Sequence, residues 1–274
     1  MDKSYLFVPG NQFERIGKAI RSEADAVIID LEDSIAIKEK NNARSCAERA
    51  LDHYEIDDKQ VYIRINDLKS DFWTKDAELL VKYPFVSVML PKTESAEDIY
   101  SLNSNLSFGQ KIIPLIETAK GIASSTEIAT SAQNIVRLAF GAVDYCLDLG
   151  ISITQNEHEL IYPRSSLVVA SRAADIQSPI DTVYVNIEDD SGFLEETKLA
   201  IQLGLFAKLC IHPKQVKLVN QLFVPSKTDV QWAKEVITTF EEAESQGLAS
   251  IKLNGGMIDY PVYKQALSIV ERIK

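Results

Sequence analysis

The stretch Ala26-Val27-Ile28-Ile29-Asp30-Leu31-Glu32-Asp33 decides the fold. It begins as an unbroken apolar string, without alternation of apolar and polar residues. A strand covered on both faces reads this way, and such strands belong to parallel sheets layered by helices. It ends in acids, placed where a strand would give way to a loop. Seven further runs share the design, at 4–8, 61–65, 86–90, 111–116, 135–140, 182–187 and 207–211. Amphipathic, helix-length segments separate them. In 13–21, Phe13, Ile16, Gly17 and Ile20 fall on one helical face. Segment 38–51 is charged and alanine-containing, and 95–102 opens with a Ser95-to-Asp98 capping pattern. Segment 157–174 contains Pro163, which must kink a helix or start one. Eight strand–helix units in about 225 residues predict an α/β fold of the TIM (βα)8 barrel type. A doubly wound sheet ranks second, because no glycine-rich first turn accompanies the strands.

The chain continues past that barrel. Segment 229–247 places Val230, Ala233, Val236, Ile237 and Phe240 on one helical face. A glycine-broken loop, Asn254-Gly255-Gly256-Met257-Ile258-Asp259-Tyr260-Pro261, precedes a last helix. The expected organisation is a catalytic barrel over 1–225 and a C-terminal helical extension over 226–274. Of the 274 residues 46% are apolar and only 11 are Gly and 9 Pro, which excludes disorder as the main state. The 40 acids outnumber the 29 bases for a net charge of −11, which argues against a nucleic-acid partner. No apolar run approaches the roughly 18 residues of a membrane span. Met1-Asp2-Lys3-Ser4 leads into a strand without a signal-peptide core, so the protein reads as cytoplasmic. Cys46, Cys146 and Cys210 are too scattered for metal or redox spacing and read as reduced structural thiols.

In a barrel, side chains just past the C-terminal strand ends converge on one mouth. Those positions hold Asn11, Asp30, Glu32, Asp33, Arg64, Asn66, Lys92, Glu117, Asp144, Asn186 and His212. Any one could cap a helix; the set reads as a lined active site. Five carboxylates in a confined mouth would repel one another unless cations intervene. Arg64 and Lys92 supply two charges and a hard divalent metal could supply the rest, Mg2+ suiting carboxylates best. The three histidines lack zinc-site spacing, and there is no nucleophile elbow, phosphate-binding loop or dinucleotide fingerprint. The residues alone thus point to a metal-assisted enzyme acting on an oxygen-rich anion.

Seven strings resemble a known family. They are Ser4-Tyr5-Leu6-Phe7-Val8-Pro9-Gly10-Asn11, Ile29-Asp30-Leu31-Glu32-Asp33-Ser34, Val61-Tyr62-Ile63-Arg64-Ile65-Asn66, Met89-Leu90-Pro91-Lys92, Pro114-Leu115-Ile116-Glu117-Thr118-Ala119-Lys120-Gly121, Cys210-Ile211-His212-Pro213 and Gly256-Met257-Ile258-Asp259-Tyr260-Pro261. In order and across almost the whole chain, they look like the citrate lyase β-subunit-like proteins of the HpcH/HpaI aldolase/citrate lyase superfamily. The resemblance implies a Mg2+-dependent barrel, commonly a homotrimer, that makes or breaks a C–C bond in a 3-hydroxyacyl thioester of the citramalyl-, malyl- or citryl-CoA type. It implies Glu117 and Asp144 as metal ligands, Arg64 as the catalytic group that stabilises the thioester enolate, and Glu32 and Asp33 as groups that orient Arg64 or metal-bound waters. It implies that Asp259, on a lid, transfers a proton in the neighbouring subunit's mouth. Phe7, Arg15, Lys18, Ile211, His212 and Met257 match positions that contact CoA or substrate. Relatives usually carry Gly-x-Glu-Asp at the second ligand, whereas this chain has Gly141-Ala142-Val143-Asp144, one negative charge fewer. The alternatives are the β subunit of a citrate lyase complex using an acyl-carrier-protein thioester, an aldolase on a free hydroxy-keto acid, and a non-catalytic metabolite-binding protein.

Overall fold

The computed structural model describes residues 2–56 and 59–271. Eight parallel strands close a barrel in chain order. They are β1 (Ser4–Pro9), β2 (Ala26–Asp30), β3 (Gln60–Arg64), β4 (Ser87–Leu90), β5 (Ile112–Ile116), β6 (Ala139–Phe140), β7 (Ile180–Asp181) and β8 (Ala207–Cys210), with β8 pairing back onto β1. The helices of this part are α1 (Phe13–Ile20), α2 (Lys40–His53), α3 (Trp73–Lys82), α4 (Ala96–Asn103), α5 (Ala119–Ala123), α6 (Ser125–Thr130), α7 (Ala142–Leu149), α8 (His158–Ala173), α9 (Asp190–Leu203) and α10 (Pro213–Leu222). Every residue of β2 is buried, as its unbroken apolar string requires. Ser95 caps α4 in a reciprocal pair with Asp98. Pro163 stands inside α8, in its second turn, so it neither starts nor ends that helix.

The seventh strand departs from the sequence reading. It comprises Ile180 and Asp181, and the segment 182–187 is loop. Ile180 points into the barrel core, while Val185 and Ile187 are exposed. What holds Asp181 in a strand is remote: Arg164 Nε donates to its Oδ1 at 2.8 Å and Lys208 Nζ to its Oδ2 at 2.7 Å. Glu196 contacts Lys208, and Glu157 accepts from Arg164 at 2.6 Å. Three carboxylates from β7, α9 and the start of α8 therefore share two cations in a buried cluster. One proton eases that imbalance, and burial first, then the neighbouring Asp181 and Glu157, push Glu196 up to about 7 despite the opposing charge of Lys208.

Inside the barrel, Tyr5, Ile28, Tyr62, Met89, Ile113, Leu115, Ile180 and Leu209 form the core. At the N-terminal strand ends the fully buried Arg137 closes it. Its Nη1 donates to the Tyr5 hydroxyl at 3.0 Å and the Asp2 carbonyl at 2.8 Å, and its Nε to the Ser178 carbonyl at 2.9 Å.

Compact units divide the chain into Asp2–Asn220 and a part from Gln221 onward. The second unit contains α11 (Lys227–Ser245), the strands β9 (Ile251–Leu253) and β10 (Gly256–Ile258), and α12 (Tyr260–Glu271). The segment read as a glycine-broken loop is an antiparallel hairpin with Leu253 opposite Gly256. Asn254 and Gly255 both adopt positive φ, +48° and +86°, as a two-residue hairpin turn demands. The unit has its own core, in which Phe240 stacks on Tyr263 with ring centroids 4.9 Å apart.

Candidate active site

The mouth is assembled from polar residues at or just past the C-terminal ends of the strands. Asp30 and Arg64 are the last residues of β2 and β3 and lie directly opposite in register. The guanidinium grips the carboxylate in a fork, Nε to Oδ1 and Nη2 to Oδ2, both at 2.7 Å. Asp30 also accepts the backbone N–H groups of Glu32 at 2.9 Å and Ser34 at 3.1 Å, fixing the loop that follows β2. From beneath, Lys40 Nζ donates to the carbonyls of Leu31 and Glu32. Burial alone would raise Asp30, but the Arg64 charge and these hydrogen bonds outweigh it and hold the carboxyl below its usual range.

Arg64 has three acidic neighbours. Its Nη1 lies 3.0 Å from Glu32 Oε2 and 3.6 Å from the half-exposed Asp33, and its guanidinium sits 4.9 Å from the Phe7 ring centroid. Asp30 takes only two of its five N–H donors. Glu32 and Asp33 thus touch Arg64 as expected, but its main orienting partner is Asp30.

Glu117, just past β5, is 2% exposed. Its Oε1 accepts the Lys92 backbone N–H at 2.8 Å. On the other side stands Gly141, where an added Cβ would come 2.4 Å from Glu117 Oε2 and 2.7 Å from Glu117 Cβ. Only glycine lets the start of α7 approach this carboxylate so closely. Burial, with Glu32 and Asp144 adding their charge, pushes Glu117 up to about 8. Asp144 occupies the first turn of α7. The start of that helix is anchored by Thr182, whose Oγ1 accepts the Ala142 N–H at 2.9 Å.

Arg64, Glu117, Asp144, Thr182 and Val143 line one cavity of about 60 Å³, with Phe7 and Leu209 among its apolar walls. Two carboxylates without imidazole or thiolate beside them could hold a hard cation. Among the described residues no group of three or more His, Cys, Asp or Glu side chains surrounds a metal position. A second cavity, of about 340 Å³, is lined by Phe7, Arg15, Lys18, Ile211 and His212, so five of the six expected CoA or substrate contacts meet. Met257 lies in β10 of the other unit, exposed. Asp259, also in that unit, follows β10, and its Oδ1 accepts the Val262 N–H at 3.2 Å at the start of α12. Asn186, expected at the mouth, falls in the loop after β7. A larger hollow of 690 Å³ lies at the opposite strand ends, where Asp2, Asp25, Gln60 and Lys111 form no convergent chemical set. Chemistry, and not volume, marks the site.

The sequence reading misses Asp30 as a partner, the Gly141 approach and Thr182. The first two have a signal, since Asp30 and Arg64 both end neighbouring strands and a glycine follows β6. Thr182 has none, because the sequence pattern sets the seventh strand too far along the chain. No helix among the described residues is long and apolar enough to cross a membrane.

Residues 3–213 match the family described as HpcH/HpaI aldolase/citrate lyase. A citrate lyase subunit beta from Haemophilus influenzae is 36% identical over 282 residues, covering 99% of this chain and 97% of its own. The mitochondrial citramalyl-CoA lyase of Rattus norvegicus is 30% identical, over 98% of this chain and 85% of that one. Among solved structures, the protein CitE from Mycobacterium tuberculosis in complex with magnesium, acetoacetate and coenzyme A is similar at a TM-score of 0.86 and 30% identity, over 99% of this chain and 97% of that one. An eight-stranded barrel matched along its full length, with acids and an arginine at its mouth, places this chain in the HpcH/HpaI aldolase/citrate lyase family.

Proposed function

We propose that this protein is a Mg2+-dependent carbon–carbon lyase that cleaves a 3-hydroxyacyl-CoA thioester of the citramalyl-, malyl- or citryl-CoA type into acetyl-CoA and a keto acid. The observation that carries the reading is that Arg64, Glu117 and Asp144 line one small cavity beside a larger one bearing Arg15 and Lys18. The residues fit the metal. Glu117 and Asp144 form an all-oxygen donor pair lining one cavity with no imidazole or thiolate among its walls. Held there, Mg2+ would make the substrate hydroxyl more acidic and orient the adjacent carboxylate.

The chain's own residues then divide the work. The substrate hydroxyl releases its proton to solvent and becomes the carbonyl of the keto acid as the C–C bond breaks. The electron pair of that bond passes to the thioester as an enolate, and Arg64 offers the enolate oxygen its donors not used by Asp30. Asp259, carried to the mouth by a neighbouring subunit, delivers a proton to the enolate carbon and completes the acyl-CoA. Arg15 and Lys18 hold the CoA phosphates, with Phe7, Ile211 and His212 lining the same cavity. A homotrimer suits this division. Exposed Leu147, Leu149 and Ile151, on α7 and just after it, give apolar surface for a subunit contact. The residues divide as a catalytic barrel over 1–225 and a lid-bearing extension over 226–274.

Offering the three CoA esters with Mg2+ and identifying the keto acid by mass spectrometry tests the reading. Cleavage should vanish in Glu117→Ala; full activity in that variant would refute the metal assignment. The similarity to citrate lyase subunit beta favours a second reading, action on an acyl-carrier-protein thioester within a complex. Turnover of a free CoA ester by the purified chain alone would exclude it.

A further inference from the structure

Lys92 is tied to the site at both its main chain and its side chain. It follows β4 with φ +49°, a left-handed conformation uncommon for a residue with a side chain. Neighbouring contacts hold the turn: Thr93 Oγ1 donates to the Leu90 carbonyl at 2.9 Å, and Thr93 N–H to the Leu115 carbonyl at 3.3 Å. The Lys92 backbone N–H donates to Glu117 Oε1 at 2.8 Å, while its ammonium donates to Glu32 Oε1 at 2.7 Å. Glu32 is buried, and its other oxygen accepts no hydrogen bond, although it lies 3.0 Å from Arg64 Nη1. Arg64 is already forked onto Asp30. Without the ammonium, Glu32 would be an under-neutralised anion beside Glu117.

We propose that Lys92 is a positioning residue for the cation site: its backbone orients Glu117, and its ammonium neutralises Glu32 and keeps it from joining Glu117 and Asp144 as a third ligand. The two contacts make one turn set the distance between a carboxylate that binds and a carboxylate that must not. This rests on the metal assignment above and extends it to a residue that does not itself hold the cation.

Mn2+ serves as the probe, with free ion measured by electron paramagnetic resonance on the full chain without substrate. Lys92→Met should bind Mn2+ about three- to tenfold more tightly, the effect of losing one positive charge near two carboxylates in partly screened surroundings. Its kcat for the CoA ester should fall at least tenfold, since Glu32 then occupies a position the substrate needs. Lys92→Arg should restore both values. Glu32→Gln, which leaves the ammonium unpaired, should weaken Mn2+ binding by a similar factor, and the Lys92→Met effect should be smaller in the Glu32→Gln background, where no freed carboxylate adds to it. Unchanged or weaker Mn2+ binding in Lys92→Met, or an equal effect in both backgrounds, would overturn the proposal. Should Lys92→Met fail to fold, unaltered Mn2+ affinity in Glu32→Gln overturns it alone. A wild-type protein that binds no Mn2+ defeats the metal assignment instead, which separates the two failures.

Discussion

Replacing Gly141 with alanine tests how tightly α7 is pressed against Glu117. The new Cβ would lie 2.4 Å from Glu117 Oε2 and 2.7 Å from Glu117 Cβ, well inside ordinary van der Waals contact. The oxygen could swing aside, but the Cβ is fixed to the backbone just past β5, so either that backbone or the start of α7 must move. Overpacking of this kind costs about 1–3 kcal/mol. Gly141 has φ −110°, which alanine tolerates, so the stiffer unfolded chain returns about 0.4–1 kcal/mol. From the middle of each range the net loss is about 1.3 kcal/mol, and a domain of this size should lose roughly 3–5 °C in Tm. The site should suffer more than the fold. A displacement near 1 Å of a positioned group can cost about 100-fold in rate. Calorimetry, Mn2+ binding and turnover of the CoA ester on the same preparation would separate these effects. An unchanged or raised Tm with wild-type Mn2+ affinity would refute the close approach.

Asp30→Asn should cripple turnover and destabilise the barrel by about 3–5 kcal/mol, because an amide nitrogen would face the Arg64 fork and leave a buried charge poorly paired. Wild-type thermal stability in that variant would count against it. Thr182→Val removes the acceptor of the Ala142 N–H and should cost about 1–3 kcal/mol in denaturant titration while weakening Mn2+ binding through Asp144; Thr182→Ser should retain both. Equal behaviour of the two variants would show that the hydroxyl is not the anchor. Burial pushes Glu196 up to about 7, above the ordinary 4.5, so a proton held there favours the fold most fully below pH 4.5, and that contribution is lost as pH rises through 7. Glu196→Gln should therefore lose less Tm than wild type between about pH 5 and pH 8, and parallel curves would remove Glu196 from the account.

The barrel is legible where a strand carries its own signal. The apolar strings around Val27-Ile28-Ile29 and Ile112-Ile113 bury themselves on both faces whatever surrounds them. The seventh strand is not, since it is one apolar residue and one carboxylate, and Asp181 is kept in place by Arg164 and Lys208 from α8 and β8. Propensity favours the richer run of Val183, Val185 and Ile187, which is loop. In the candidate site, Arg64, Glu117 and Asp144 can be found because strand ends converge by topology. The fork from Arg64 to Asp30 depends on the register between β2 and β3, and the role of Gly141 on a distance between two loops. Neither is written in a local pattern. The Asn254-Gly255 pair does signal a hairpin, but the strands flanking it are only three residues each, too short to stand out.

Arg137 at the strand starts gives the barrel a blind end. With its guanidinium tied to Tyr5, Asp2 and Ser178, Arg137 closes the core at this end, and the mouth is the end at which Arg64, Glu117 and Asp144 line a cavity. A ligand seated there acts as a stopper. It expels water through the opening it enters by, and once it is in place the fields of Arg64 and Lys92 act through a medium of lower dielectric constant. Release then becomes a rehydration event, so departure of the last product should be slower in media of low water activity.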